Sequence, residues 1–334
     1  MPPFNRALIT SLLALPFGGV ACSQQSSETA QANPIFRSAD KIACENSDVH
    51  GSIGDITFHK VAEIKPKTKS WGILEGPLWV NGTLLMSNVG LPVDNTPNPA
   101  DLVMLKDGEI VVLKEDYGSN GLTLDQEGYV VAPRHKDGTI TRVIDGQVLA
   151  GQYEGTRFNS PNDVVISSQG TVFFSDPDWQ NPEPTQAEER MYQVTLAGDI
   201  TAFGSAIEKP NGVMLSHDEQ TLYAGGTNGL FKFSFDSNGK VIDEALQISA
   251  VEGGIDGMSR DCAGNLYVTN HKQVLVLANG TEELLKTFDF DSEGIDGVTN
   301  IAFGGADGKT IFVTTMGSKP GLWSAQSEIA GLPY

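Results

Sequence analysis

The 334-residue sequence predicts an all-β fold, a six-bladed β-propeller, on three observations. At six places a carboxylate or asparagine is followed, nine to eleven residues later, by a short apolar strand, and the period is roughly 42 to 49 residues. Repeats of that length carrying only strand-type segments are the sequence signature of a propeller. Turn signals such as Asn81-Gly, Lys106-Asp-Gly, Asp145-Gly, Ala263-Gly-Asn and Asp307-Gly recur between the apolar runs. No helical periodicity of useful length occurs beyond the first 22 residues, and only Thr185 to Met191 has room for a single helical turn.

In chain order, residues 1–22 carry one cation (Arg6), a short apolar run from Ala7 to Phe17, and small residues before Cys22. The run is too short to span a bilayer and has the form of a secretory signal. It resembles a bacterial lipoprotein signal cleaved before Cys22, although Gly19 stands where that pattern has leucine; cleavage near Ala21 with free secretion is the alternative. An exported protein, periplasmic or membrane-anchored, is expected. Residues 23–54 are polar and aperiodic and read as a tether, its last part ordered if Cys44 is engaged. Residues 55–334 carry the propeller. Its repeats open at Glu75, Asn120, Asn162, Asn211, Asp256 and Asn300, leading to strands at Leu84, Tyr129, Val172, Leu222, Leu266 and Ile311. Two insertions, Val89 to Ala100 and Trp179 to Glu189, follow what reads as the first strand of a blade; they either shape a substrate mouth or are solvated loops.

Hydrophobic residues make up 40% of the chain, which is compatible with a sizeable core. The formal charge of −20 disfavours nucleic acid and anionic membrane surfaces as partners, leaving an N-terminal lipid as the expected membrane contact. A monomer is expected. Beyond Cys22 only Cys44 and Cys262 remain, and the sequence leaves open whether they pair or stay separate thiols.

Positions in equivalent register of a propeller lie at one radius about its axis, so the six polar residues converge if the repeat is real. The competing reading is ordinary turn punctuation, since Asn-Gly and Asp-Gly are common in hairpins. Converging carboxylates and amides, with no Cys or His among them, form the ligand set of a hard cation. Calcium fits best; zinc, manganese and magnesium are alternatives. Glu75 and Asp256 neutralise a divalent ion, Asn162 and Asn211 add carbonyl dipoles, and a coordination number of roughly 6 to 8 leaves room for water and substrate. Neither Gly-x-Ser-x-Gly nor His-Glu-x-x-His is present, which disfavours serine hydrolases and zinc peptidases.

Glu75-Gly-Pro-Leu-Trp, Arg157-Phe-Asn-Ser-Pro-Asn-Asp-Val-Val, Ser175-Asp-Pro, Pro210-Asn-Gly-Val-Met, Asp256-Gly-Met and Thr299-Asn-Ile-Ala-Phe-Gly-Gly together resemble the senescence marker protein / gluconolactonase / luciferin-regenerating enzyme family. The resemblance covers roughly residues 60 to 325. It implies a divalent cation in a central tunnel, held by Glu75, Asn162, Asn211 and Asp256, and hydrolysis of a sugar lactone by a water that a carboxylate activates. Asp256 is the expected base and Asp163 the second candidate. Arg157 and Asn159 are the implied substrate contacts, with Asn120 and Asn300 from the ring. His135 stands where related lactonases have a histidine, but in a different local sequence. Phosphotriester or aryl-ester hydrolysis at the same cation, and a lipid-anchored ligand-binding scaffold without turnover, are the competing functions.

Overall fold

The computed structural model describes residues 34–38, 44, 53–68, 70–92, 96–181 and 183–331. The chain divides into a compact unit, 32–334, and a separate segment, 1–31. That segment lies outside the described residues, and with it the expected signal, Cys22 and the Ser/Gln-rich stretch.

The all-β expectation holds: the described residues are strands and turns with one short 3₁₀ helix at Pro34–Phe36. After β1 (His59–Glu63), the strands β2 (Gly72–Val80), β3 (Thr83–Gly90), β4 (Ala100–Lys106) and β5 (Glu109–Lys114) pair antiparallel in sequence. The next four-stranded meander is β6 (Thr123–Leu124), β7 (Val130–Arg134), β8 (Thr139–Arg142) and β9 (Val148–Ala150). A ribbon, β10 (Gln152–Tyr153) and β11 (Thr156–Arg157), leads to β12 (Val164–Ile166), β13 (Val172–Asp176), β14 (Arg190–Val194) and β15 (Ile200–Phe203). Two more meanders follow: β16 (Val213–Leu215), β17 (Thr221–Gly226), β18 (Gly229–Ser234) and β19 (Leu246–Gln247), then β20 (Ile255–Arg260), β21 (Leu266–Asn270), β22 (Gln273–Leu277) and β23 (Leu284–Asp289). Last come β24 (Gly297–Gly304), β25 (Thr310–Gly317) and β26 (Gly321–Gln326).

The first and last strands meet. β26 pairs with β1 from His59↔Ser324 to Glu63↔Gly321, so an early strand completes the last sheet. β25 also pairs with β2 at Gly72↔Gly317 and Ile73↔Met316, which joins the first and last groups into one eight-stranded sheet. Closure of this kind removes exposed edges that would otherwise template aggregation.

The core lies between consecutive sheets. Val131 and Ile140 of one sheet pack with Val164, Phe174 and Tyr192 of the next, and Phe158 fills the junction. Phe158 meets Phe174 edge-on at 5.0 Å, and Phe174 stacks on Tyr192 at 5.3 Å. Buried on both faces, an inner strand needs no polar alternation, which is why Val274 to Leu277 is a continuous apolar run without exposure. Burying each such side chain contributes roughly 1.5–3 kcal/mol. The outermost strands are half exposed, and Val112, Val148, Leu246 and Leu284 reach solvent there.

Three local expectations are corrected. The polar residue lies in or just before the inner strand of each group, so the two insertions follow a second strand, β3 or β13. No helical turn forms at 185–191, because the Thr185 and Gln186 amides donate to Asn159 Oδ1 instead of to carbonyls of their own segment. The stretch read as a tether is also engaged earlier than Cys44. Phe36 is buried against Leu124, Val130 and Val143, and the Arg37 guanidinium lies 4.7 Å over the Tyr129 ring. Cys44 and Cys262 form a disulfide, which settles the pairing left open by the sequence.

Candidate active site

The six polar residues form a closed circuit at the inner strands. Glu75, Asp256 and Asn300 sit at register shifts between Glu75 and Leu78, Ile255 and Met258, and Val298 and Ile301. Such irregularities re-aim a side chain out of the ladder; at the first, Pro77 has no N–H to donate. Asn120, Asn162 and Asn211 stand just before β6, β12 and β16.

The glycine that follows four of these positions, Gly76, Gly121, Gly212 and Gly257, meets the next position of the circuit. Gly76 has φ +56°, and a Cβ there would lie 2.4 Å from the Asn120 carbonyl oxygen. A Cβ on Gly257 would lie 2.0 Å from Asn300 Cγ, so only glycine fits either place. The Gly121 amide donates to the Asn162 carbonyl at 2.8 Å, and the Val213 amide to Asp163. The side chains of Asn211 and Asp256 hydrogen-bond, and Asn300 Nδ2 donates to Glu75 Oε2 at 3.0 Å, closing the circuit.

Above it lies a cavity of about 350 Å³ with Glu75, Asn120, Asn162, Asn211 and Asp256 as its floor. Its described walls are Ile73, Leu91, Pro92, Asn98, Trp179, Gln180 and Met316. The two insertions therefore do reach the mouth, and they touch: the Asn98 amide donates to the Gln180 carbonyl at 3.0 Å. A second, much smaller cavity of about 40 Å³ beneath the floor is lined by Asp163 and Asn300.

Electrostatically the floor is crowded. Burial raises the Asp256 carboxyl well above its ordinary value, and the Glu75 and Asp163 charges push it further. Burial also raises Glu75, against hydrogen bonds from Asn300, the Gly76 amide and Asp256 that favour its charged form. Asp163 is pushed up to about 8, first by burial and then by Glu75. Meanwhile Asn120 Oδ1 and Asn211 Oδ1 are buried without a hydrogen-bond partner. Mutually repelling carboxylates beside unused carbonyl oxygens are the chemistry a hard cation relieves, so these residues fit one. Among the described residues no group of three or more His, Cys, Asp or Glu side chains is placed to hold a metal, so a cation would depend on the asparagine oxygens as well.

The structure does not bring every expected residue to the cavity. Arg157 donates to the carbonyls of His135, Lys136 and Asp137 at 3.0, 2.8 and 2.9 Å, clamping a turn. Asn159 supports the 185–186 backbone through Oδ1. His135 is fully buried, its Nε2 2.8 Å from the Asn98 carbonyl, and burial lowers it to about 4. Asp163 and Asn300 lie beneath the floor, coupled to it through Glu75. Conversely, the cavity includes Ile73, Asn98, Gln180 and Met316, which the sequence did not single out. For Asn98 and Gln180 the signal was their place in the insertions; Ile73 and Met316 carried none.

A family model described as SMP-30/Gluconolactonase/LRE-like region matches residues 75–317. A gluconolactonase of Zymomonas mobilis subsp. mobilis is 27% identical over 235 residues, covering 61% of this chain and 66% of that protein, just under two thirds of its length. Pentonolactonase XacC of Haloferax volcanii is 28% identical over 209 residues, covering 59% of this chain and 67% of that protein. A solved gluconolactonase of Xanthomonas campestris superposes with a TM-score of 0.65 at 23% identity, covering 90% of this chain and 99% of its own. Regucalcin of Agrobacterium tumefaciens, a calcium-binding protein, superposes with a TM-score of 0.57 at 18% identity, covering 81% and 95%. At these identities the structural likeness shows the fold alone, an all-β, propeller-like one.

Proposed function

The chain belongs to the SMP-30/gluconolactonase/LRE-like family, and on that premise we propose that it is a divalent-metal-dependent lactonase working at the axial cavity. The sugar lactones named for two relatives are the starting substrates to test. The circuit of inner strands is read as the axis of six blades. The observation that carries the proposal is the cavity floor, where two carboxylates and three asparagines converge and two amide oxygens are unused.

Glu75, Asn162, Asn211 and Asp256 would hold the cation. Calcium, before zinc, manganese or magnesium, would supply polarisation of the lactone carbonyl when bound. Asp256 accepts a proton from the attacking water as the water oxygen adds to the carbonyl carbon. The ring C–O bond then breaks, and the ring oxygen leaves as a hydroxyl carrying that proton, giving a hydroxy acid. Asp256 suits the base role better than Asp163, because it faces the substrate cavity and Asp163 lies beneath it. Glu75 and Asn211, both hydrogen-bonded to Asp256, orient its carboxyl.

The test is turnover of a lactone panel by the metal-loaded protein, followed by chelation and calcium add-back. Loss and recovery of activity support the reading; turnover indifferent to the chelator, or none at all, removes it. Export with lipidation at Cys22, and a monomeric state, belong to the same proposal. They are checked by mass spectrometry of the mature amino terminus and by light scattering.

A further inference from the structure

We infer that the preferred substrate is a lactone carrying an apolar chain, not a polyhydroxylated one; this rests on the lactonase reading above and narrows it. The side chains expected to hold sugar hydroxyls are turned into the protein and do not line the cavity, even where Asn159 Nδ2 and His135 Nδ1 keep no hydrogen-bond partner. The Arg157 guanidinium is occupied by three backbone carbonyls, Asn159 Oδ1 by two backbone amides, and His135 lies behind Asn98. Above the floor, the described walls offer only Asn98 and Gln180 as polar side chains.

The rest of the described wall is apolar and comes from separate parts of the fold. Ile73 and Met316 are register partners where β2 meets β25, Leu91 follows β3, and Trp179 projects from the second insertion with 39% of its surface exposed. A sugar lactone carries a hydroxyl on most ring carbons, and each one stripped of water needs a new partner. Two amide side chains on the described walls, with the idle Asn120 oxygen on the floor, do not supply that many. Gln180 Oε1, buried and unpartnered, offers an acceptor for one hydroxyl. A volume of about 350 Å³ corresponds to about a dozen water molecules, which exceeds the need of a bare lactone ring. The surplus lies along apolar surface. Each methylene buried there should raise kcat/KM about fourfold until the wall is covered.

The experiment uses the full chain with saturating calcium and compares γ-butyrolactone, γ-valerolactone, γ-heptalactone, γ-nonalactone and glucono-δ-lactone by pH-stat. The expected result is a rise along the alkyl series, with γ-nonalactone at least about tenfold above glucono-δ-lactone. Trp179→Ala should lower kcat/KM for γ-nonalactone about tenfold more than for γ-butyrolactone, with Trp179→Phe restoring most of the difference. A flat series, a preference for glucono-δ-lactone, or an equal loss on both γ-lactones in Trp179→Ala overturns the inference while leaving a lactonase. Failure to turn over any lactone is a distinct outcome, which removes the lactonase reading and this inference with it.

Discussion

Asparagine and aspartate serve two regions of this molecule, the surface turns and the cavity floor, and differ between them in what their oxygens do. In the turns they are locally satisfied. Asp125 Oδ1 accepts the Glu127 and Tyr129 amides at 2.9 and 2.8 Å, and Asp236 Oδ1 accepts those of Asn238 and Lys240 at 2.8 and 3.0 Å. Backbone donation from Lys240 and Asn238 holds the Asp236 carboxyl below the usual range. On the cavity floor the same residue types are strained electrostatically: Asn120 and Asn211 keep idle oxygens, while Asp256 is raised by burial and by its acidic neighbours. Residue type and local pattern therefore do not separate a site from punctuation. Hydrogen-bond satisfaction does, because a native fold leaves few buried polar atoms unused without a reason.

The comparison breaks most visibly at Asp256. Asp256→Asn should lose at least about 10²-fold in turnover at saturating calcium while keeping its circular dichroism and melting point. Near-normal turnover would end its assignment as the base. The turn counterpart is Asp261, which accepts the Asn265 amide at 2.9 Å, Asn265 Nδ2 at 2.8 Å and the Tyr267 hydroxyl at 3.3 Å. Asp261→Ala should cost about 1–3 kcal/mol in denaturant unfolding and leave kcat/KM unchanged. A catalytic loss without a stability loss would erase the distinction between the two regions.

Asn211→Ala removes an oxygen that no protein donor uses. Calcium affinity, read by titration calorimetry, should fall by about tenfold or more, alongside a loss of about 1–3 kcal/mol in unfolding free energy from the hydrogen bond to Asp256. Unaltered calcium binding would show that the idle oxygen is only a packing defect.

Asp176 falls between the two classes, and its effect is confined to a shift with pH. It accepts the Asn159 and Ser160 amides, both at 2.9 Å, yet burial raises it from 3.8 to about 7. Because the folded value lies above the unfolded one, its contribution to stability is full below about pH 4 and is lost as pH rises through about 7. The difference in unfolding free energy between wild type and Asp176→Asn should change across that window by at most about 1.4 kcal/mol per pH unit. A pH-independent difference would show that the two amide bonds outweigh burial.

The circuit was legible because a repeat carries its register in one dimension: once Glu75, Asn120, Asn162, Asn211, Asp256 and Asn300 occupy equivalent places, strand geometry brings them together. Motif adjacency was a poorer guide. Arg157 and Asn159 share a motif with Asn162, but three to five residues along an irregular segment are enough to turn a side chain from the cavity to a neighbouring turn.

The sequence by itself determined the all-β class, the repeat period and the converging polar positions, since all three follow from local periodicity and the alternation of strand and turn. Only the tertiary structure decided which faces those positions serve. It placed Asp163 and Asn300 below the floor, bonded Cys44 to Cys262 across 218 residues, and set Ile73 and Met316 side by side from opposite ends of the chain. Such contacts depend on how sheets stack and where the ends close, and no local pattern encodes them, because the partners are chosen by packing between segments that share no sequence window.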